Sequence, residues 1–411
     1  MADLISSLLR FVYYYSMLMG MLNFGIDWPT GRALITRRVS IYAAVVNVIT
    51  ICSLPWLCGT QVIDSLWPRT EHLHDYLYVA IQGGRVLCVC VTLVDRWSHR
   101  QRFMRLVNAF QRLAQQKPRV KRMWRRGIIS KVLTVFLIDL LQTIVLLQRI
   151  YEKFTVALVL TVLVVHTLSV LVNLIISQYY FGLLNIYAHY ILLKLELRSV
   201  LAEVRRLEFE YRKGVFAITC CALADKLEAI AATQSQLQKL LQILTSCFGL
   251  QTVLITISYY MAGVGMIYLT FCEVTGDIRL DWNVSNLVLL SFNFVCYFAD
   301  IYISVNIMYS LLDAHAEMLG LLSESTILAP GLDRRLASVV RQSRFSSIQD
   351  QSHLSFSHSD SFQLQLAWNP LKFSVLGLYN MEKSKSVTLA SSVVTSSLVL
   401  IQNDFKNAYL Y

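Results

Sequence analysis

Long apolar runs alternate with shorter polar segments along most of the chain. A bilayer core about 30 Å thick requires roughly 20 apolar residues in a helix. Seven segments meet or approach that length: Ser40–Cys58, Leu77–Val94, Ile129–Leu147, Thr155–Tyr179, Ser246–Phe271, Leu287–Leu311 and Val387–Ile401. The sixth is interrupted by Asp300, and the last is short and rich in Ser and Thr. This pattern predicts an all-α membrane protein with seven transmembrane helices.

The N-terminal residues are also apolar, but they do not have the pattern of a cleaved signal. No basic residue precedes Leu4–Leu22, Arg10 interrupts the run, and no small-residue cleavage site follows. We expect a short helix that lies at the inner membrane surface.

The distribution of basic residues predicts the orientation. Residues 96–126 contain eleven Lys or Arg and no Asp or Glu, and they join the second and third spans. Such a loop, taken as 96–128, is held in the cytoplasm by the positive-inside bias. The N-terminus is then cytoplasmic and the C-terminus extracellular. The outer loop 273–286 is mainly acidic and holds the sequon at Asn283, a glycosylation candidate.

Two long cytoplasmic segments follow from this topology. Residues 183–245 have mixed charges at helical spacing and a leucine stripe, which predicts helical extensions of spans four and five. These helices could form a stalk or oligomer interface, or an intramolecular hairpin, and the sequence leaves both open. Residues 342–361 contain eight serines and little apolar content, which is typical of a disordered loop.

The predicted organisation has seven parts in chain order. They are an N-terminal cytoplasmic segment (1–38), spans one to four (39–182), the cytoplasmic helical region (183–245), spans five and six (246–312), a second cytoplasmic region (313–385), the last span (386–406) and an extracellular tail (407–411).

Composition and charge exclude several classes of protein. Apolar residues form 55% of the 411-residue chain and charged residues 15%. Soluble domains contain about 25% charged residues, so this composition differs clearly from theirs. The net charge is +11, and the basic residues that produce it lie between apolar spans. We therefore expect these residues to contact anionic membrane lipid rather than nucleic acid. Nine cysteines form no C-x-x-C pair, although a disulfide between Cys58 and Cys272 stays open. No metal site, cofactor motif or nucleophilic constellation emerges, so no enzyme is predicted.

The C-terminal residues resemble the signature of the insect gustatory receptors. The chain reads FQLQLAWNPLKF over Phe362–Phe373 and SVLGLYNMEKS over Ser374–Ser384. The family's last helix carries Thr-Tyr, five hydrophobic residues and Gln-Phe. Here Thr395 and Gln402 are in register, whereas Ser396, Ser397 and Asn403 depart from the pattern.

This resemblance implies a tetrameric, ligand-gated, non-selective cation channel in the plasma membrane of a sensory neuron dendrite. The last helices of four subunits, identical or mixed, would line a central pore, and the cytoplasmic helices would form the shared anchor. A small-molecule tastant would bind in the outer half of the remaining bundle. The divergent signature favours the bitter-type branch over the sugar branch.

A polar stripe in the last span agrees with a pore. A helix that borders water should carry polar residues at three-to-four spacing within an apolar background. The candidate pore-lining or gate residues are Thr388, Ser391, Thr395, Val399 and Gln402. A ring of Val399 side chains could form a dewetting gate. The alternative is that these hydroxyls serve helix packing.

Further candidates lie inside the other spans. Arg85, Asp139, His166 and Asp300 are ionisable residues at membrane depth, where we expect each to find a partner. Asp139 and Asp300 could pair with Arg85 or His166; the sequence leaves open which, and whether such a pair fixes helix register or contacts a ligand. Pockets are mostly apolar and aromatic with few polar groups. The candidates for the ligand pocket are Tyr76, Tyr78, Gln82, Gln142, His166, Tyr260, Tyr268 and Phe292. Interfacial anchoring is the alternative for each tyrosine.

Two other functional classes, secondary transporters and metabotropic receptors, fit this sequence less well than a channel. A secondary transporter should have repeated halves or broken spans, and the chain has neither, with only six prolines. A metabotropic seven-helix receptor requires an N-terminus outside the cell. The sequence therefore favours the channel-receptor.

Overall fold

The computed structural model describes residues 2–28, 30–54, 72–152, 154–207, 213–275, 284–325, 374–375, 379–380 and 383–408. Its helices are α1 (Ala2–Leu18), α2 (Arg37–Ser53), α3 (His72–Ser98), α4 (Arg100–Gln116), α5 (Val120–Glu152), α6 (Val156–Leu207), α7 (Lys213–Thr275), α8 (Val284–Ser325) and α9 (Lys383–Ala408). Two short antiparallel ribbons pair β1 (Gly25–Asp27) with β2 (Arg32–Leu34), and β3 (Ser374–Val375) with β4 (Tyr379–Asn380). The all-helical prediction is confirmed, with these ribbons as the exceptions among the described residues.

The first helix ends earlier than the apolar run predicts. Gly20 has a φ of 70°. The N–H of Met21 donates to the carbonyl of Ser16 (2.9 Å), and the N–H of Gly20 donates to that of Met17 (3.0 Å). These two hydrogen bonds form a Schellman cap, which needs a residue in the left-handed conformation and therefore favours glycine. Helix α1 then packs against α5.

Every predicted span coincides with a helix over its described residues. Four helices, α5 to α8, contain segments long and apolar enough to cross a membrane, and Ser391–Gln402 of α9 is a shorter apolar stretch. Helix α2 has only 17 residues within the described chain. The exact number of spans and their orientation stay predictions.

The outer faces of these helices are apolar. On α5, Leu133, Phe136, Leu140 and Leu147 are all more than 40% exposed and recur at helical spacing. Helices α2, α6 and α8 carry similar exposed rows. Exposing this apolar surface to water would be unfavourable by about 25 cal/mol of transfer free energy per Å². Such continuous apolar faces are expected of helices that are solvated by lipid.

Helices α6 and α7 are much longer than a bilayer requires. They contain 52 and 63 residues, against roughly 20 for one crossing. The leucine stripe of α7 is buried against α6, its members being Leu227, Leu237, Leu240, Leu241 and Leu244. This packing within one chain favours the intramolecular hairpin for the described part of residues 183–245.

The basic segment 96–128, expected as a loop, is largely helical. Phe103, Leu106 and Leu113 of α4 are buried, which the three-to-four spacing of apolar residues explains. Arg96, at the end of α3, is 4% exposed and donates to Gln178 Oε1 (2.6 Å). Its guanidinium lies 3.3 Å from the ring centroid of Phe103. This segment is therefore a packed part of the bundle.

Candidate ligand site and pore-lining helix

A buried ion pair joins α5 to α8. The Lys131 ammonium donates to both carboxylate oxygens of Asp300 at 2.7 Å and to Ser304 Oγ at 2.9 Å. The Lys131 and Asp300 side chains are only 0% and 3% exposed. Asp300 therefore pairs with Lys131 rather than with Arg85 or His166. Lys131 lies near the start of the predicted third span, and its long stem lets the ammonium reach Asp300.

The second aspartate in the bundle also finds a partner that the sequence analysis did not name. Asp139 Oδ1 on α5 accepts a hydrogen bond from Asn173 Nδ2 on α6 at 2.8 Å. The amide neutralises none of the charge, but it fixes the carboxylate at the α5–α6 contact. Its expected pairing with Arg85 or His166 is likewise not observed.

Tyr297 of α8 lies where four helices meet. Its hydroxyl is 3.1 Å from Ser169 Oγ on α6 and 3.4 Å from Gln142 Oε1 on α5. Its ring centroid is 6.2 Å from that of Tyr259 on α7. Aromatic rings with a few convergent polar groups are typical of small-molecule sites. We call Gln142, Ser169, Tyr259 and Tyr297 the tyrosine cluster.

Several polar atoms around the tyrosine cluster have no hydrogen-bond partner within the described part of the chain. They are His166 Nδ1 and the Tyr259 hydroxyl, both buried, and on α3 the buried Gln82 Oε1 is likewise without a partner among the described residues. His166 precedes Ser169 by one helical turn, and Gln82 precedes Arg85 by one turn on α3. Buried polar groups are rarely left unsatisfied, so a ligand or water is expected to complete this region.

Among the eight pocket candidates, Gln142 belongs to the tyrosine cluster and His166 lies one helical turn from its Ser169, whereas Gln82 is on α3. Tyr76 and Phe292 are 73% and 49% exposed and do not face it. The side chain of Tyr78 is outside the described residues. The other two, Tyr260 and Tyr268, contact the last helix instead.

The last helix packs on α7 through one face. Ser397 is fully buried; its hydroxyl donates to the Val393 carbonyl at 2.8 Å within α9 and lies 3.5 Å from the Val264 carbonyl on α7. Gly263 lies so close to Val393 that an added Cβ would be 3.2 Å from its Cγ1. Tyr268 is buried in a cluster with Ile401. The Gly263 position thus allows α7 and α9 to approach closely.

Tyr260 extends this contact with its hydroxyl. The oxygen is 2.8 Å from Ser396 Oγ and 3.1 Å from Ser392 Oγ. Ser396 stands at the position where the family signature has a tyrosine. In this chain, the tyrosine hydroxyl at this contact comes from Tyr260 on α7, and Ser396 on α9 is its partner. Tyr260 therefore serves as a packing contact between α7 and α9 in this structure.

The predicted polar stripe lies on the opposite face of α9. Thr388, Ser391, Thr395, Val399 and Gln402 are all exposed. At 3.6 residues per turn they share one side of the helix, directly across from Val393 and Ser397. The hydroxyl of Thr395 donates to the Ser391 carbonyl at 3.0 Å, which satisfies it within the helix. The stripe is therefore turned away from the bundle of its own subunit.

Five residues of this region were missed by the sequence analysis: Lys131, Ser169, Asn173, Tyr259 and Tyr297. A signal existed for two of them. His166, Ser169, Asn173 and Ser177 form a polar stripe at helical spacing in the fourth predicted span. The other three are single residues whose partners lie on another helix.

Three expectations fall outside the described residues. Asn283 and the Ser-rich loop 342–361 are not described, and neither are Cys58 and the Cys272 side chain. The glycosylation site, the disulfide and the loop therefore stay predictions. Among the described residues, no group of three or more metal-ligating side chains occurs.

The comparisons with known proteins agree with this architecture. A family model described as 7tm chemosensory receptor matches residues 9–407. The chain is 35% identical to putative gustatory receptor 59d of Drosophila melanogaster, covering 99% of this chain and 100% of the relative. It is 32% identical to putative gustatory receptor 36b of the same species, with the same coverage.

The fold has a solved counterpart. The insect olfactory receptor OR5 from Machilis hrabei superposes with a TM-score of 0.60 at 12% identity, covering 98% of this chain and 99% of that one. The chain therefore belongs to the 7tm chemosensory receptor family. Within it, the chain is a member of the insect gustatory receptors, which confirms the resemblance seen in the C-terminal residues.

Proposed function

We propose that this receptor is a ligand-gated, non-selective cation channel that is opened by a small-molecule tastant. The polar stripe of α9 carries the proposal, because Thr395 and Gln402 lie opposite the face that packs on α7. Hydroxyls and an amide offer cations a wet path without tight binding, which permits conduction. Val399, 59% exposed between them, is suited to a dewetting gate.

A channel built on this stripe requires several subunits. One helix cannot enclose a conduit, so several copies of α9 must surround a shared axis. The resemblance favours four subunits, identical or mixed with other gustatory receptors. The receptor would act in the plasma membrane of a sensory dendrite, with a bitter-type tastant as the favoured ligand class.

The tyrosine cluster is the proposed ligand site. It joins α5, α6, α7 and α8, and α7 also carries the Tyr260 contact with α9. A ligand bound among these helices could therefore change how α9 sits against α7. This continuity supports coupling between the ligand site and the conduit.

The test is Gln402→Ala, with currents recorded in expressing cells. We expect altered ion selectivity or basal current, because the exposed amide borders the permeation path. Gln101→Ala is the matched control, since Gln101 is also exposed but lies on α4. Unchanged currents in a well-expressed Gln402→Ala variant would overturn the pore assignment.

A further inference from the structure

Arg85 lies near the middle of the 27-residue helix α3. In the described part of the chain no carboxylate lies within ion-pair distance of its guanidinium. Lys131, by contrast, is paired with Asp300. An unpaired charge at membrane depth is energetically unfavourable. The receptor therefore keeps a costly cation for which its own aspartates supply no direct partner.

The surroundings of Arg85 connect it to the tyrosine cluster. The neighbouring Gly84 contacts α7, where an added Cβ would be 2.6 Å from Ser258 Oγ. Arg85 follows Gly84 on α3 and Tyr259 follows Ser258 on α7, so both residues lie at this α3–α7 contact, and the Tyr259 ring lies beside that of Tyr297. The Tyr259 hydroxyl has no hydrogen-bond partner among the described residues. Arg85 and Tyr259 thus offer hydrogen-bond donors beside aromatic rings.

Both nearby aspartates are engaged elsewhere. The Asp300 carboxylate is held by Lys131, and Asp139 accepts from Asn173. An anion that enters the site from outside would meet the Arg85 charge without displacing either contact. A carboxylate matches the planar fork of a guanidinium and accepts a phenolic hydrogen bond as well.

We propose that Arg85 and Tyr259 recognise the carboxylate of a small aromatic acid, whose ring packs against Tyr259 and Tyr297. This inference rests on the proposed function, because it assigns the ligand class of that same site. Arg85 supplies the charge, the Tyr259 hydroxyl supplies a second donor, and the tyrosine rings supply the apolar contact.

The experiment measures binding by the thermal stability of the purified full-length receptor. The probes are benzoate, benzamide with the same ring but no charge, and acetate with the charge but no ring. We expect benzoate to stabilise the receptor at concentrations at least tenfold lower than the other two. Equal effects of benzoate and benzamide would overturn the proposal, and equal effects of benzoate and acetate would remove the aromatic contact from it.

Substitutions at Arg85 then test its role in recognising the carboxylate. Arg85→Gln should lose the preference for benzoate over benzamide, whereas Arg85→Lys should keep part of it because the charge remains. Arg105→Gln, an exposed arginine on α4, is the matched control and should bind as wild type. An unchanged preference in Arg85→Gln contradicts the assignment. If Arg85→Gln does not fold, Arg85→Lys and the wild-type probe series still decide the question.

Currents separate the two proposals. Binding of benzoate without any current, in a receptor that no other compound opens, would remove the channel function and leave the ligand class standing. Currents evoked by neutral compounds, with no preference for benzoate, would remove the ligand class alone.

Discussion

At the residue scale, the Lys131–Asp300 pair has the largest expected effect on stability. Lys131→Met leaves the Asp300 carboxylate buried with only Ser304 beside it. Removing one partner of a buried pair costs about 3–5 kcal/mol. We expect a clearly lowered melting temperature in detergent and reduced surface expression.

Two further variants check this interpretation. Replacing both partners, as Lys131→Met with Asp300→Leu, should restore most of the stability, because no buried charge remains. Lys226→Met breaks the exposed pair with Glu203 and should cost less than about 1 kcal/mol. A double variant as unstable as Lys131→Met alone would argue against the ion pair as the cause.

The same pair marks the limit of sequence reasoning at this scale. Asp300 was recognised as a residue that needs a partner, but Lys131 lies near the end of its span and could have snorkelled to water. Which groups meet depends on the rotation and depth of two helices. Those are decided by packing between helices, which the pattern within each helix does not contain.

At the scale of elements, the contact between α7 and α9 is the proposed link to the conduit. Tyr260→Phe removes the hydroxyl that bonds Ser392 and Ser396 but keeps the ring. In the proposed channel, this bond holds α9 against α7 in the resting arrangement. We expect a severalfold higher basal current at unchanged surface expression.

The matched control is Tyr302→Phe, since Tyr302 is 71% exposed on α8. Ser396→Ala should reproduce most of the Tyr260→Phe effect, and the double variant should add little, because both lose one bond. Independent, additive effects would show that the two hydroxyls do not act together.

Helix positions were the most predictable feature of the elements. Hydropathy located each span because the apolar run itself is the physical requirement for crossing lipid. Helix α4 was missed as an element because its basic residues marked it as a loop, although Phe103, Leu106 and Leu113 have helical spacing. The polar stripe of α9 was found because it lies within a single helix.

At the scale of the whole molecule, the predicted cytoplasmic N-terminus would separate this receptor from metabotropic seven-helix receptors. Tags at the two ends of the chain test it in intact cells. We expect the N-terminal tag to be stained only after permeabilisation and the C-terminal tag to be stained without it. The reverse pattern would invert the topology predicted from the basic segment 96–128.

Assembly could not be derived from the chain's own packing. The apolar pattern predicts that α9 is a helix, but whether its exposed face borders water, lipid or other subunits depends on copies of the chain. That face carries Thr395 and Gln402, and the proposed channel depends on it.

A density map of the assembled receptor in lipid is the most direct test of this account. We expect several copies of α9 around one axis, with Thr395, Val399 and Gln402 lining the conduit and the tyrosine cluster set back within each subunit. A map in which these three residues face lipid, or in which no axial conduit exists, would contradict it.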